Sequence, residues 1–284
     1  MAISVNGKKK QVKKTFEELL QDLKTNNSEK VRYNAARMFG EMGDAKAVEP
    51  LIDVLKSDKN GSVRLYAARA LGELGDSRAT THLIDSLRND RNVDVRVRAA
   101  RALGKLGGEI VVEPLVEALN DENPQVCITA TDALIEIGDV ATDALMASLD
   151  HEKVNVRCDA TRALGEIGNK KAVDKIINML YDEWVNVRIY AVTSLGKLND
   201  TKAVPALIDV MKNTEENELV RAGAAAALGV LRDTRALLPL RELIMDAEEL
   251  GELEDTALKS FKKIMAANWQ SIPGASVQKK VATV

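Results

Sequence analysis

Aromatic residues are scarce in this 284-residue chain: they make up 3% of it, as two Trp, four Tyr and three Phe. Ligands held on stacked rings, such as sugars or single-stranded nucleic acid, would find few platforms. Histidine is scarcer still, with only His82 and His151, and cysteine is confined to Cys127 and Cys158. No Cys- or His-rich metal motif can be assembled from so few ligands. There is no excess of charge of either sign, since 40 basic side chains face 43 acidic ones for a net charge of −3. A whole-protein electrostatic grip on nucleic acid would need a clear basic surplus, so the balance argues against that partner. No apolar run approaches the ~18 residues of a membrane helix. The segment 1–14 lacks the apolar centre of a signal peptide. A soluble, cytoplasmic protein that does not enter a membrane is expected.

What the chain has in abundance is repetition. The stretch Val63 to Asp76, VRLYAARALGELGD, recurs in close form from Val31, Val95, Val156, Val187 and Val220, and in degenerate form from Val126. Successive valines are separated by 32, 32, 31, 30, 31 and 33 residues. Self-similarity at such a period marks stacked repeats that contact only their neighbours. Within each unit a first helix carries an apolar stripe such as Val48, Leu51, Ile52 and Leu55, and a polar turn leads to a second helix opened by the Val-Arg pair. Gly-Asp closes many units (Gly43-Asp44, Gly75-Asp76, Gly138-Asp139), and glycine just past a helix supplies the positive φ of a C-cap. Pro50, Pro114, Pro205 and Pro239 share one phase near the start of first helices, and Pro124 opens a second helix, positions where a missing N–H costs nothing. Only Pro273 falls elsewhere, in the tail.

Counting the second helix from its valine as zero, positions 0, 4, 8 and 11 are apolar and form the expected core face. Small residues at 4 and 5 and glycine at 9 (Gly40, Gly72, Gly104, Gly165, Gly196, Gly229) predict close helix approach, which offsets the ~1 kcal/mol cost of a helical glycine. The two cysteines lie in adjacent repeats, where helix packing places equivalent positions ~10 Å apart. That is too far for a disulfide, so both read as small buried hydrophobes in a reducing compartment. The Val-Arg arginines (Arg32, Arg64, Arg96, Arg157, Arg188, Arg221) read as structural, through an Asp six residues upstream: Asp58/Arg64, Asp90/Arg96 and Asp182/Arg188. The fourth repeat replaces this Arg by Cys127 and its Gly by Ile135, which predicts altered curvature and a hinge between repeats 1–4 and 5–8. The chain divides into a basic arm with five lysines (1–14), a repeat array (15–267) and a tail (268–284).

The pattern VRxxAAxALGxxGD followed by AVEPLIDVL (Ala47–Leu55) resembles the HEAT-like repeat family, in the short form found in phycobilin lyase subunits and many archaeal and bacterial proteins. That resemblance implies an all-α fold, an α-solenoid coiled as a right-handed superhelix of about eight helical pairs. It also implies second helices on the concave face and a usual role as a protein-binding scaffold, armadillo-like in architecture. Deoxyhypusine hydroxylases share such repeats and carry His-Glu pairs at positions 2 and 3. Here the corresponding residues are Tyr33-Asn34, Leu65-Tyr66, Val97-Arg98, Ile128-Thr129, Cys158-Asp159, Ile189-Tyr190 and Ala222-Gly223. The lone His151-Glu152 lies in a turn, so no metal or other cofactor is expected.

Positions 3, 6 and 10 share a face opposite the core. In three repeats they hold i,i+4 pairs, Arg37–Glu41, Arg69–Glu73 and Arg162–Glu166, of the solubilising kind. The third repeat differs, with Arg98, Arg101 and Lys105 and no acid among them, beside Tyr66 and Arg69. The expected recognition surface is therefore Tyr66, Arg69, Arg98, Arg101 and Lys105, with Arg162 and Tyr190 extending it. Its expected occupant is an acidic protein segment, because the guanidinium fork pairs with carboxylates. Trp184, in a polar turn, either covers the core or joins the contact surface. An accessory subunit of a lyase-type or cofactor-modification complex, or a weak nucleic-acid binder, are the alternatives to a non-enzymatic scaffold.

Overall fold

A computed structural model describes residues 14–245 and 251–269. Residues 1–13 of the basic arm and 270–284 of the tail, Pro273 included, lie outside the described residues. Among those described, the regular structure is helical throughout. The helices pair as α1 (Phe16–Thr25) with α2 (Glu29–Met42), α3 (Val48–Ser57) with α4 (Gly61–Leu74), and α5 (Thr80–Asn89) with α6 (Val93–Leu106). Next come α7 (Val112–Glu117) with α8 (Pro124–Ile137), α9 (Thr142–Ser148) with α10 (Val154–Ile167), and α11 (Val173–Met179) with α12 (Val185–Leu198). The last are α13 (Val204–Lys212) with α14 (Glu218–Leu231) and α15 (Leu237–Met245) with α16 (Glu252–Asn268).

Local chemistry punctuates each pair. Gly75 ends α4 at φ 67°, ψ 19°, the left-handed conformation, and its N–H donates to the Leu71 carbonyl. The Asp that follows acts on the next element, since the Asp76 carboxylate accepts the Arg78 N–H and caps a single 3-10 turn that leads into α5. Asp44, Asp200 and Asp233 do the same in their repeats. The Gly-Asp dipeptide is thus a stop signal and a start signal in succession. At the amino end, Thr15 and Glu18 form a reciprocal capping box on α1.

Second helices pack on one another in series, α2 on α4 on α6 in the first part of the chain and α10 on α12 on α14 on α16 in the second. Positions 4 and 8 are buried in every repeat, for example Ala67 and Leu71. Position 11 varies: Leu198 and Leu231 are buried, Leu74 is half-buried and Met42 is 44% exposed. Positions 5 and 7 (Ala68 and Ala70 in α4) are fully buried in its place, on the side where neighbouring second helices meet.

The chain separates into two compact units, one ending at Leu106 and the other starting at Gly107. The division falls ahead of the fourth repeat. Gly107 and Gly108 stand there with consecutive positive φ values of 66° and 88°. The fourth repeat is nonetheless irregular. Half-buried Ile135 occupies the glycine position, and α8 packs less extensively on α10 than α10, α12, α14 and α16 do on their neighbours in series. A side chain in the closest-approach position holds two helices apart.

Candidate functional site

The arginines that open the second helices set the frame on which the exposed face is built. Arg64 Nη1 donates to the Asp58 carbonyl at 2.8 Å, while Nε and Nη2 donate to the two carboxylate oxygens of Asp90, each at 2.7 Å. The carboxylate partner therefore comes from the following repeat, and the upstream Asp contributes only its carbonyl, which corrects the in-repeat pairing expected from the sequence. Arg32 reaches Asp58 and Arg157 reaches Asp182 in the same two-pronged way. Both partners of the Arg64–Asp90 pair are nearly sequestered, with side chains 9% and 8% exposed. Burial works against the Asp90 charge, but the Arg64 guanidinium and the Asn92 amide outweigh it and hold the carboxyl below its usual range. Asp58 is lowered in the same way, against its burial, by Arg32 and the Asn60 amide.

Among the described residues three joints depart from this scheme; at one, Arg221 Nε donates to the Met211 carbonyl at 3.0 Å. Arg188 meets Glu216, whose longer side chain engages Nη2 at 2.8 Å and leaves the buried Nε without a partner. In the fourth repeat the Cys127 thiol takes the place of the guanidinium and donates to the Asp121 carbonyl at 3.3 Å. The Asp position of the fifth repeat is correspondingly His151, whose Nδ1 accepts the Lys153 N–H. Cation and anion have gone together. Both cysteines are free and half-buried, not the fully buried pair expected. Burial pushes Cys158 up to about 11 and raises Cys127 as well, so both stay protonated thiols near neutrality.

On this frame, positions 6 and 10 of the second helices point outward, as Arg69, Arg101, Asp132, Glu136, Lys105 and Lys197 do. In the first unit Arg69, Arg98, Arg101 and Lys105 converge with Glu73 around a pocket of about 280 Å³ between α4 and α6. Its floor is the contact of Gly72 with Ala102, where a Cβ on the glycine would lie 2.7 Å from the Ala102 Cβ. Arg69 is tied to Glu73 at 2.8 Å. Among the described residues no carboxylate pairs with Arg98, Arg101 or Lys105, so the pocket carries uncompensated positive charge on a protein of net charge −3.

The remaining expected site residues do not line this pocket. Tyr66 stacks on Tyr33 of the preceding repeat, with ring centroids 5.1 Å apart and planes at 18°. Arg162 contacts Asp132 of the preceding repeat at 3.5 Å, while Glu166 is bound by Lys197 of the next. The expected Arg162–Glu166 pair is thus replaced by links between repeats. Arg37–Glu41 and Arg69–Glu73 form as expected. Trp184 is 52% exposed and its indole N–H donates to Glu183 at 3.0 Å, so it does not cover the core. Tyr190 lines a separate groove in the second unit, across α8, α10 and α12.

Among the described residues, no group of three or more His, Cys, Asp or Glu side chains is arranged to hold a metal ion. No described helix is long and apolar enough to cross a membrane.

A family model for HEAT repeats matches residues 16–104, 80–157, 112–187, 142–215 and 173–260. Among solved structures, karyopherin Kap121p bound to the SUMO protease Ulp1p superposes with a TM-score of 0.65 at 14% identity, over 94% of this chain and 35% of that one. The chain therefore spans about a third of that karyopherin. The complex of CpcE and CpcF of phycocyanin lyase from Nostoc sp. PCC7120 aligns at 22% identity over 93% of this chain and 100% of that one, with a TM-score of 0.46. Human deoxyhypusine hydroxylase aligns at 22% identity over 88% and 96%, with a TM-score of 0.41. Identities this low speak to fold alone. No curated protein matches the sequence significantly.

Proposed function

Since this chain belongs to the HEAT-repeat family, we propose that it is a non-enzymatic interaction scaffold whose basic pocket between α4 and α6 docks an acidic segment of a cytoplasmic protein partner. One observation carries this reading. Arg69, Arg98, Arg101 and Lys105 point into one pocket, and only Arg69 has a carboxylate partner among the described residues. Like charges brought together repel unless an anion joins them, so the arrangement is most stable when occupied. Guanidinium forks favour carboxylates in two-point contact. Glycine and alanine at the floor let an incoming side chain sit close to the backbone.

A fluorescein-labelled peptide of six glutamates flanked by Gly-Ser tests it. Fluorescence anisotropy is expected to show binding that weakens with added salt. Binding should be lost in the Arg98→Glu, Arg101→Glu, Lys105→Glu triple variant, whose circular dichroism should match wild type. A peptide bound equally by both proteins would place the acidic-segment site elsewhere. A pull-down of crosslinked partners from native extract with the same pair of proteins then identifies the natural ligand.

A further inference from the structure

The basic pocket of the first unit owes its charge to one inversion. Position 10 of the second helix is Glu41 in α2 and Glu73 in α4, and each binds the arginine four residues before it, Arg37 and Arg69. In α6 the same position is Lys105, so Arg101 meets a second cation where the other two helices supply its partner. Arg98, half-buried, adds a third one turn earlier. Residues 98, 101 and 105 share one face and lie within about 11 Å along the helix axis. Arg69 closes the cavity from α4, already engaged with Glu73. Four cations thus surround the space against one carboxylate, and three of them have no anion among the described residues.

Volume and lining narrow the occupant. The cavity of about 280 Å³ is at the small end of ligand pockets, which run ~300–1,000 Å³. It admits the head of one side chain and not a length of peptide. A carboxylate brings one negative charge to three cations and leaves two uncompensated. A phosphate monoester carries a charge of about −1.5 to −2 at pH 7 and three strong acceptor oxygens. Those oxygens can take N–H groups from Arg98, Arg101 and Lys105 together, and guanidinium forks suit phosphate in two-point contact. At the floor, the bare Cα of Gly72 lets the group sit close to the helix. No aromatic or large apolar side chain lines the cavity, so a phosphotyrosine ring would gain nothing there. Glu73, and Glu41 beyond it, both act on Arg69 and bound the basic patch on that side. The continuous backbone of a nucleic acid would have to cross these carboxylates, whereas a single phosphoryl group stays among the cations.

We propose that the pocket receives one phosphorylated serine or threonine of the docked segment. This rests on the reading of the pocket as an acidic-segment site and adds that a phosphoryl group is its anchor, so that docking follows the phosphorylation state of the partner.

Two fluorescein-labelled peptides, followed by anisotropy on the full chain, test the anchor. One is the six-glutamate peptide, and the other carries phosphoserine in place of its third glutamate. The phosphopeptide is expected to bind about tenfold more tightly, the gain of one added charge-assisted contact. Lys105→Glu exchanges one exposed side chain for another and restores at position 10 the acid found in α2 and α4. It should abolish the gain, and Lys105→Arg should keep it. Equal binding of the two peptides by wild type would overturn the phosphoryl anchor and leave the acidic-segment site standing. Binding of neither would overturn both. A gain that survives Lys105→Glu would put the phosphate outside this pocket. Phosphotyrosine at the third position, or a short single-stranded oligonucleotide, bound as tightly as the phosphoserine peptide would overturn the assignment to serine and threonine.

Discussion

The guanidinium of Arg64 spans two repeats, holding the Asp58 carbonyl with one nitrogen and both carboxylate oxygens of Asp90, twenty-six residues ahead, with the other two. Breaking a sequestered ion pair from one side leaves an uncompensated charge, whereas removing both partners can be nearly neutral. Asp90→Ala is therefore expected to lower stability by about 3 kcal/mol. The double variant Arg64→Met, Asp90→Leu should lose less than Asp90→Ala alone. Urea denaturation followed by circular dichroism compares them directly; a double variant as damaged as the single one would contradict this account.

The joint between α8 and α10 offers the reverse experiment. Here Cys127 and His151 stand where arginine and aspartate stand elsewhere. Cys127→Arg alone should lower the urea midpoint, because it introduces a half-buried cation opposite a histidine. Adding His151→Asp should restore or exceed the wild-type midpoint. Equal midpoints for the single and double variants would show that the two positions do not communicate.

Glycine at position 9 predicts opposite outcomes at two sites. A Cβ on Gly72 would lie 2.7 Å from the Ala102 Cβ and 2.9 Å from its Cα, so helix α4 would have to move. Gly72→Ala is expected to cost ~1–3 kcal/mol by overpacking. At Gly196 the nearest atoms, in Ala227, are 3.4 and 3.5 Å away, an ordinary contact. Gly196→Ala should be neutral or stabilising by up to ~1 kcal/mol through helix propensity. Thermal midpoints of the two variants should shift in opposite directions or differ clearly in magnitude.

Stability should decline in acid. Asp58 and Asp90 are lowered against their burial by Arg32 and Arg64. Asp76 lies at about 2, held there chiefly by the Arg78 guanidinium. A carboxyl depressed in the folded state stabilises above the unfolded value of ~3.9, and that contribution is lost as pH falls through the folded value. Urea midpoints should be nearly flat from pH 7 to 5 and fall below about pH 4. Asp90→Asn, destabilised at neutrality, should show a shallower acid decline than wild type.

The repeat frame was legible residue by residue: the Val-Arg openings, the glycine C-caps, the prolines and the core positions 4 and 8 stand where periodicity places them. The carboxylate partner of each arginine was not, for an arithmetical reason. With a period of 32, an Asp six residues behind an arginine and one twenty-six ahead occupy the same column of the repeat. Two copies break the tie. Arg32 is preceded at that offset by Asn26 and Arg157 by His151, yet each has an aspartate in the following repeat. The basic cluster of Arg69, Arg98, Arg101 and Lys105 was visible as an unpaired stripe, and the structure gathers it into one pocket. Tyr66 escaped the same reasoning because stacking on Tyr33 depends on ring orientation, which spacing does not encode. The groove at Asp159 and Tyr190 is built largely from positions 2 and 3 of three successive repeats, but its apolar and acidic members differ from copy to copy, so no unpaired stripe of charge marks it.

Because Arg32, Arg64, Arg157 and Arg188 take their carboxylates from the successor repeat, the array has a direction that matters while the chain is being made. As Arg64 emerges from the ribosome its final anchor, Asp90, is still 26 residues away, a delay of ~1–5 s at ordinary synthesis rates. Throughout that interval the newest repeat carries a guanidinium committed to a partner not yet made, and the growing end of the protein stays one rung behind its own synthesis.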